Sequence, residues 1–274
     1  MFFPTYSKVS NAGKRDNLVG IKNIVAFSSG RAKVGKTTIS ANLAILLAQA
    51  GLRVGLLDAE VDVSAASKIL KIENSHTDAM LSENFGVKLL SIGLLSIKDP
   101  LEDWYQNWRE YWLERQIERV LTDISWGNLD YLIVNLPPGI GDFQSALVKA
   151  IPLNGVVIVA TAEKDTHPVI YETIEIFEKL QVSVLGLIEN KCNYFSADLF
   201  KRKYKIQASK QSGEKRSKTK RIPFLGYVPQ DSMIAKYGDR GLPIVLAEPQ
   251  STFTGALNAI VWAISSRVTR STKK

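Results

Sequence analysis

The feature that most restricts the fold of this chain is an eight-residue loop, GRAKVGKT, at positions 30–37. It matches G-x-x-x-x-G-K-[ST] and stands between an apolar run, IVAFSS (24–29), and a helix predicted from about Lys36 to Ala50. Backbone N–H groups in such a loop, together with the N-terminus of the following helix, form a cradle for phosphate. We predict a phosphate-binding loop in which Lys36 neutralises phosphate oxygens and the Thr37 hydroxyl contributes to a Mg²⁺ shell.

Short apolar runs alternate with longer helical patterns along the rest of the chain. The runs predicted as strands occupy 24–29, 53–58, 87–93, 130–135, 155–161, 182–190 and 223–229. They are almost continuously apolar, which is typical of strands covered on both faces. Strands separated by helices form right-handed βαβ units. The sequence therefore predicts an α/β fold: a doubly wound, mostly parallel sheet of about seven to eight strands with helices on both faces. Ligands of such sheets bind at the carboxyl ends of the strands.

The composition argues against several other classes of protein. No apolar run reaches the roughly 18 residues of a membrane helix, and residues 1–20 contain no long apolar segment typical of a secretory signal. The one cysteine, Cys192, cannot form an internal disulfide or a metal site made of several thiolates of one chain. It fits a reducing compartment, cytoplasmic or stromal. The two histidines, His76 and His167, do not have the spacing of metal ligands or of a hydrolytic triad.

The positive charge is concentrated in one segment. The chain carries a net charge of +8, and residues 201–221 hold ten Lys/Arg and one acid, Glu214. We interpret this segment as a solvated, mobile loop, with binding to nucleic acid, acidic protein or anionic lipid as the alternative. An aromatic stripe on a predicted helix is either core or a partner surface. Its members are Trp104, Trp108, Tyr111 and Trp112.

One domain, 23–267, is predicted between an N-terminal tail (1–22) and a basic C-terminal tail (268–274). The last helix of this domain carries an apolar stripe. The stripe consists of Phe253, Leu257, Ile260, Val261 and Ile264. In one interpretation it packs on the sheet, and in the other it binds a membrane surface.

The sequence resembles a known class of ATPases. Similarity to the deviant-Walker ATPases begins in FSSGRAKVGKTTISANLAILLAQAGLRVGLLDAEVD, where the loop of that class usually reads GKGGVGKST and the second strand ends in Asp-x-Asp. Within that class, the Mrp/ApbC family of iron–sulfur cluster carriers normally has WGELDYLIIDLPPGTGD, which is similar to WGNLDYLIVNLPPGIGD here. The similarity continues through IPFLGYVPQDSMIAKYGDRGLPIVLAEP and covers about residues 22–267. The chain is identified as a divergent member of the Mrp/ApbC family.

This resemblance implies ATP or ADP with Mg²⁺ as ligands and a homodimer as the working unit. The implied phosphate cradle consists of Gly30, Arg31, Ala32, Lys33, Val34, Gly35, Lys36, Thr37 and Thr38. The implied Mg²⁺ shell involves Thr37, Asp58 and Asn135. Asn190 would read the adenine edge, while Pro229 and Asp231 would line the base. Asp142 belongs to the second switch segment.

Several departures from the family pattern fall on the hydrolysis machinery. Arg31 replaces the signature Lys that reaches the partner's phosphates, and Lys33 replaces a glycine that allows unusual φ. Glu60 replaces the second Asp of the first switch and is still a carboxylate, one methylene longer, whereas the neutral Asn135 replaces the acid that holds Mg²⁺ through water. Because hydrolysis depends on accurate placement of charge and water, we predict weak or absent turnover. The alternative is drift in a working enzyme, with Lys36, Glu60 and Arg31 as its catalytic residues.

The cluster-binding cysteines of the family are not found in this sequence. Carriers place Cys-x-x-Cys shortly after the Glu-Asn of the sixth strand, and alignment on Tyr194-Phe195 places Ala197 and Phe200 at those positions. A symmetric dimer offers only two Cys192 thiolates, whereas a cluster usually needs four protein ligands. We therefore do not expect a stable iron–sulfur cluster.

These features predict an ATP-binding, nucleotide-dependent dimer in which the nucleotide is a conformational ligand more than a fuel. Such a protein would serve as an assembly or regulatory factor for an unidentified protein client. Two alternatives stay open. One is a slow ATPase of the same family that handles clusters with a partner's cysteines, and the other is a ParA/MinD-like positioning ATPase that binds a membrane or another surface.

Overall fold

The computed structural model describes residues 16–60, 65–72, 81–93, 117–118, 120–139, 141–161, 166–192 and 222–271. Its strands are β1 (Ile24–Ser28), β2 (Val54–Asp58), β3 (Ser82–Asn84), β4 (Val87–Ser91), β5 (Tyr131–Asn135), β6 (Gly155–Thr161), β7 (Val184–Cys192) and β8 (Phe224–Pro229). They form one sheet in the order β3-β4-β2-β5-β1-β6-β7-β8. Every neighbouring pair is parallel except β3 with β4.

Helices cover both faces of this sheet. After a short 3-10 helix (Asp16–Leu18), they are α1 (Lys36–Gln49), α2 (Ala65–Ile69), α3 (Asp142–Ala150), α4 (Thr166–Lys179), α5 (Ser232–Gly238), α6 (Ile244–Ala247) and α7 (Thr252–Ser271). Alternate residues of the central strands enter two separate apolar cores, as strand geometry requires. One core includes α1 and α7, and the other includes α3 and α4. The predicted α/β fold with a doubly wound, mostly parallel sheet is confirmed.

All seven predicted strands are present, and their ends differ from the predicted ones by at most two residues. At the carboxyl edge, β4 ends two residues earlier than predicted, and β7 continues two residues past Asn190 to Cys192. The sequence alone does not predict β3, because its three residues, Ser82–Asn84, are polar and carry no apolar signal. They pair antiparallel with β4 at the edge of the sheet. The α1 helix begins at Lys36 as predicted and ends at Gln49.

The C-terminal helix α7 packs on the sheet, as one of its two interpretations expects. The buried members of its stripe are Phe253, Leu257, Ile260 and Ile264. The helix continues to Ser271, beyond the predicted domain end at 267, and Val268 is fully buried. No helix in the described part of the chain is both long and apolar enough to cross a membrane.

Some predictions concern residues outside the described ranges. These are the aromatic stripe at 104–112, the basic segment 201–221, the positions of Ala197 and Phe200, His76, and the tail residues 1–15 and 272–274. The side chain of His167 is likewise not described.

Candidate nucleotide site

A cleft of about 1080 Å³ lies at the carboxyl end of β1. At β1 the strand order reverses, since β5 leads to β2 on one side and β6 leads to β7 on the other. Ligands of doubly wound sheets bind at such a point because the neighbouring loops diverge there. The cleft is lined by residues from the phosphate loop (29–38), from the 137–144 segment and from the 229–244 segment. Arg31 and Asp142 line it and are exposed.

The phosphate loop contains two residues with left-handed backbone conformation. Gly35, with φ of 84°, is the N-cap of α1, and Lys33 has φ of 62°. This conformation costs a non-glycine residue about 1–2 kcal/mol. Lys33 thus adopts the unusual φ that a glycine usually supplies at this position. A Cβ added to Gly35 would lie 2.2 Å from Asn190 Nδ2, so this glycine makes room for Asn190.

Lys36 lies below the loop and contacts two side chains. Its Nζ is 2.6 Å from Glu60 Oε1 and donates to Asn135 Oδ1 at 2.9 Å, and the residue is 4% exposed. Burial lowers the pKa of Lys36, and the Glu60 carboxylate opposes that shift. Thr37 Oγ1 donates to the same Glu60 oxygen at 3.3 Å. The two side chains predicted to meet phosphate and Mg²⁺ are therefore both held by the Glu60 carboxylate.

Asn135 connects the acidic and basic groups of this cluster. It ends β5 in register with Asp58 at the end of β2, and both residues are fully buried. The Asn135 amide oxygen accepts from Lys36, while its Nδ2 donates to Asp58 Oδ1 at 2.8 Å and to Thr37 Oγ1 at 3.2 Å. An ionised carboxylate has no proton to donate, so an ionised acid at this position could not make the contact to Asp58. The amide is what allows these four residues to form one connected network.

The residues predicted to contact the base line the same cleft. Asn190 lies two residues before the end of β7, Pro229 ends the neighbouring strand β8, and Asp231 comes two residues after Pro229. Asp231 accepts from Met233 N at 2.8 Å and thereby caps α5. Asn190 is 6% exposed, and its Nδ2 donates to Val34 O at 2.8 Å. Its amide nitrogen thus holds the phosphate loop, a contact that the sequence alone does not predict.

Two more cleft residues have contacts that sequence reasoning missed. Gln144, in α3, is buried and donates from Nε2 to Ser28 Oγ at 2.9 Å, which ties α3 to the end of β1. Lys191 donates from Nζ to Lys33 O at 2.8 Å. The available signal for Gln144 was a polar residue beside the apolar positions of DFQSALVKA, a segment for which no helix was predicted. The contact of Lys191 had no such signal, because it depends on an irregularity of β7.

Glu189 is a fully buried carboxyl group beside Asn190. Among the described residues, neither of its carboxyl oxygens has a hydrogen-bond partner. Burial raises the pKa of Glu189 to about 7. The buried thiol of Cys192 donates to the Glu189 carbonyl oxygen at 3.5 Å, and burial together with the Glu189 carboxyl raises the pKa of that thiol. A thiol held in its protonated form is a poor metal ligand, because metals bind the thiolate.

Glu189→Gln is expected to remove a pH dependence of stability. The pKa of Glu189 in the folded state is about 7, against 4.5 for an ordinary Glu. The contribution of this group to the stability of the wild type is therefore fully present below about pH 4.5 and is lost as the pH rises towards 7. The glutamine variant cannot ionise, so at pH 8 its free energy of unfolding is expected to exceed that of the wild type by about 3 kcal/mol. Urea unfolding between pH 5 and 8 measures this, with the exposed Glu175→Gln as control. A pH profile of Glu189→Gln that coincides with that of Glu175→Gln would refute the assignment.

The sequence of residues 20–265 matches the family described as "ParA: NUBPL iron-transfer P-loop NTPase". The chain belongs to this family. Its relatives include the iron-sulfur cluster carrier protein of Synechocystis sp., which is 38% identical over 263 residues, 93% of this chain and 73% of the relative. The iron-sulfur protein required for NADH dehydrogenase of Arabidopsis thaliana mitochondria is 31% identical, over 92% of this chain and 81% of the relative. The predicted Mrp/ApbC-type membership is therefore confirmed.

Two solved structures are similar to this chain. A nucleotide-binding protein from Archaeoglobus fulgidus, in complex with ADP, has a TM-score of 0.66 and 27% identity, covering 90% of this chain and 96% of that chain. The MinD cell division protein of Aquifex aeolicus has a TM-score of 0.62 at 20% identity, covering 89% and 97%. The second similarity shows the fold alone, and it agrees with the sheet described above.

Proposed function

We propose that this family member binds ATP and ADP in the cleft and acts as a nucleotide-dependent homodimer that assists iron–sulfur assembly, with an unidentified protein as its client. The observation that carries the proposal is the position of Lys36. It is buried beneath the phosphate loop, at the first residue of α1, and this loop lies at the point where the strand order of the sheet reverses. Support also comes from the ADP in the Archaeoglobus relative and from the names of the curated relatives.

The cleft contains groups suited to both ends of a nucleotide. The loop and Lys36 would hold the phosphates, and Asn190, Pro229 and Asp231 would contact the base. The donors near Lys36 also fit Mg²⁺, which prefers oxygen ligands, since Thr37 offers a hydroxyl and Asp58 a carboxylate. When bound, Mg²⁺ neutralises charge on the phosphate oxygens.

Slow or absent turnover follows from the same network. Glu60 is the proposed water-orienting acid, yet its Oε1 is held by Lys36 and Thr37. Asn135 supplies no negative charge next to Asp58, so the metal would be held less firmly than by two acids. Arg31 stands exposed at the loop, where it would reach a partner's phosphates in a dimer with a geometry different from that of lysine. We therefore propose that the nucleotide acts mainly as a conformational ligand.

Nucleotide titration of the full chain tests this proposal. ATP and ADP, each with and without Mg²⁺, are expected to raise the melting temperature, and ATP is expected to favour a dimer in light scattering. Phosphate release is expected to stay near background. A melting temperature that does not respond to saturating nucleotide would overturn the proposal, whereas sustained phosphate release would favour the slow-ATPase alternative.

The positioning-ATPase alternative has less support. Its candidate membrane surface was the apolar stripe of α7, and that stripe faces the sheet. Co-sedimentation with anionic liposomes in the presence of ATP is the direct measurement. We expect the protein to remain in the supernatant.

The purified protein is expected to be colourless and to hold no stable [4Fe–4S] cluster by itself. The sequence contains one cysteine, so a dimer offers two thiolates for four irons, and Cys192 is buried as a protonated thiol. The measurement is anaerobic reconstitution, desalting, and assay of iron and sulfide with a visible spectrum. Near-stoichiometric iron with a cluster absorption band would contradict the expectation and would require ligands other than cysteine.

A further inference from the structure

Lys33 lies in a backbone conformation that its own side chain disfavours. Its φ of 62° is in the left-handed region, which glycine enters readily and lysine does not. Such conformations persist when surrounding contacts impose them. The contacts that can impose this one come from the end of β7.

Two successive residues of β7 hold two successive carbonyl groups of the loop. Asn190 Nδ2 donates to Val34 O at 2.8 Å, and Lys191 Nζ donates to Lys33 O at 2.8 Å. Successive side chains of a regular strand point to opposite faces, so a regular strand could not place both on one loop. Lys191 itself has φ of 57°, and the pairing of β7 with β8 shifts register between Glu189 and Cys192. This bulge is what brings both side chains to the loop.

Holding these carbonyls also fixes two N–H groups of the phosphate cradle. The carbonyl of Lys33 shares a planar peptide unit with the N–H of Val34, and the carbonyl of Val34 shares one with the N–H of Gly35. Once the carbonyl directions are set, the N–H directions are set too. Lys191 adds a charge-assisted contact, and among the described residues it forms no ion pair that would draw it away from the loop.

We propose that Lys191 is a positioning residue for phosphate binding. It keeps the peptide of the left-handed Lys33 in the orientation that a nucleoside diphosphate or triphosphate needs. This inference rests on the proposed nucleotide binding and adds to it the residue that prepares the loop. A loop fixed before binding loses less conformational entropy when the ligand arrives, and affinity rises accordingly.

The test measures ADP affinity by calorimetry in the wild type and five variants, which include Lys33→Gly alone and together with Lys191→Met. Lys191→Met removes the ammonium and is expected to weaken ADP binding about tenfold, a typical effect of one charge-assisted hydrogen bond. Lys191→Arg keeps the charge and is expected to stay within threefold of the wild type. In a Lys33→Gly background the left-handed conformation is no longer strained, so adding Lys191→Met is expected to cost less than threefold. Lys179→Met, at an exposed position of α4, controls for the loss of one positive charge.

Hydrogen exchange of the Val34 and Gly35 amides without nucleotide supplies a second measurement. We expect Lys191→Met to accelerate it about tenfold and Lys179→Met to leave it unchanged. If Lys191→Met costs the same ADP affinity with and without the Lys33→Gly substitution, the positioning role is overturned, because Lys191 would then act on the ligand directly. If the wild type and Lys191→Met bind ADP with the same affinity, this inference alone is overturned. If the wild type does not bind ADP, the proposed function is overturned as well.

Discussion

Lys36→Ala is expected to abolish nucleotide binding. Lys36 is the buried cation at the base of the phosphate loop, and its charge-assisted contact is central to any phosphate bound there. For the wild type, nucleotide at 100 times its Kd adds about 2.7 kcal/mol of stability. In a domain of this size that corresponds to a rise in melting temperature of about 5–10 °C. The alanine variant is expected to show no rise at the same nucleotide concentration.

The same substitution also changes the protein without ligand, and the measurement has to separate the two effects. Removing Lys36 leaves Asn135 Oδ1 and Glu60 Oε1 without their shared donor, which costs about 1–3 kcal/mol. Each variant is therefore compared with itself, with and without nucleotide. Lys179→Ala removes an exposed lysine and is expected to keep the full wild-type shift. A nucleotide-induced shift of wild-type size in Lys36→Ala would remove the basis of the proposed function.

Asn135→Asp is expected to make the protein depend on Mg²⁺ and on low pH for its stability. The new carboxylate would face Asp58 across the 2.8 Å contact that the amide now bridges, with both groups fully buried. Two carboxylates in one buried site raise each other's pKa, and without a cation the charged pair costs about 2–3 kcal/mol even with Lys36 nearby. Because the raised pKa favours the protonated folded state, the variant is expected to regain stability as the pH falls and to lose it as the pH rises.

Mg²⁺ with ADP supplies the missing positive charge, so it is expected to raise the melting temperature of Asn135→Asp more than that of the wild type. Turnover is expected to rise if the restored acid holds the metal in place. Asn258→Asp, on the exposed side of α7, is the matched control and is expected to show neither effect. The placement of Asn135 at the metal shell is wrong if the variant has wild-type stability at pH 8 and unchanged Mg²⁺ dependence.

The contiguous features of this protein could be predicted from its sequence. The loop at 30–37 and the start of α1 at Lys36 lie within a short stretch, where the residues themselves determine the backbone through glycine positions and apolar periodicity. The seven apolar strands were predictable for the same reason. The short polar strand β3 was not, because only its pairing with β4 makes it a strand. Family membership followed from motifs that are likewise local.

The contacts that give the site its chemistry were decided by tertiary structure. Lys36 and Asn135 are 99 residues apart, and only the adjacent positions of β1, β5 and β2 bring Asn135 between Lys36 and Asp58. The sequence identified Asn135 as a missing acid, whereas the structure shows an amide that donates to one neighbour and accepts from another. Lys191 reaches the phosphate loop only because β7 bulges there. The pKa of Glu189 is raised only because the residue is completely buried. A residue type specifies which protons and charges are available, but burial and the distance between partners determine how they are used, and both arise only when distant strands pack together.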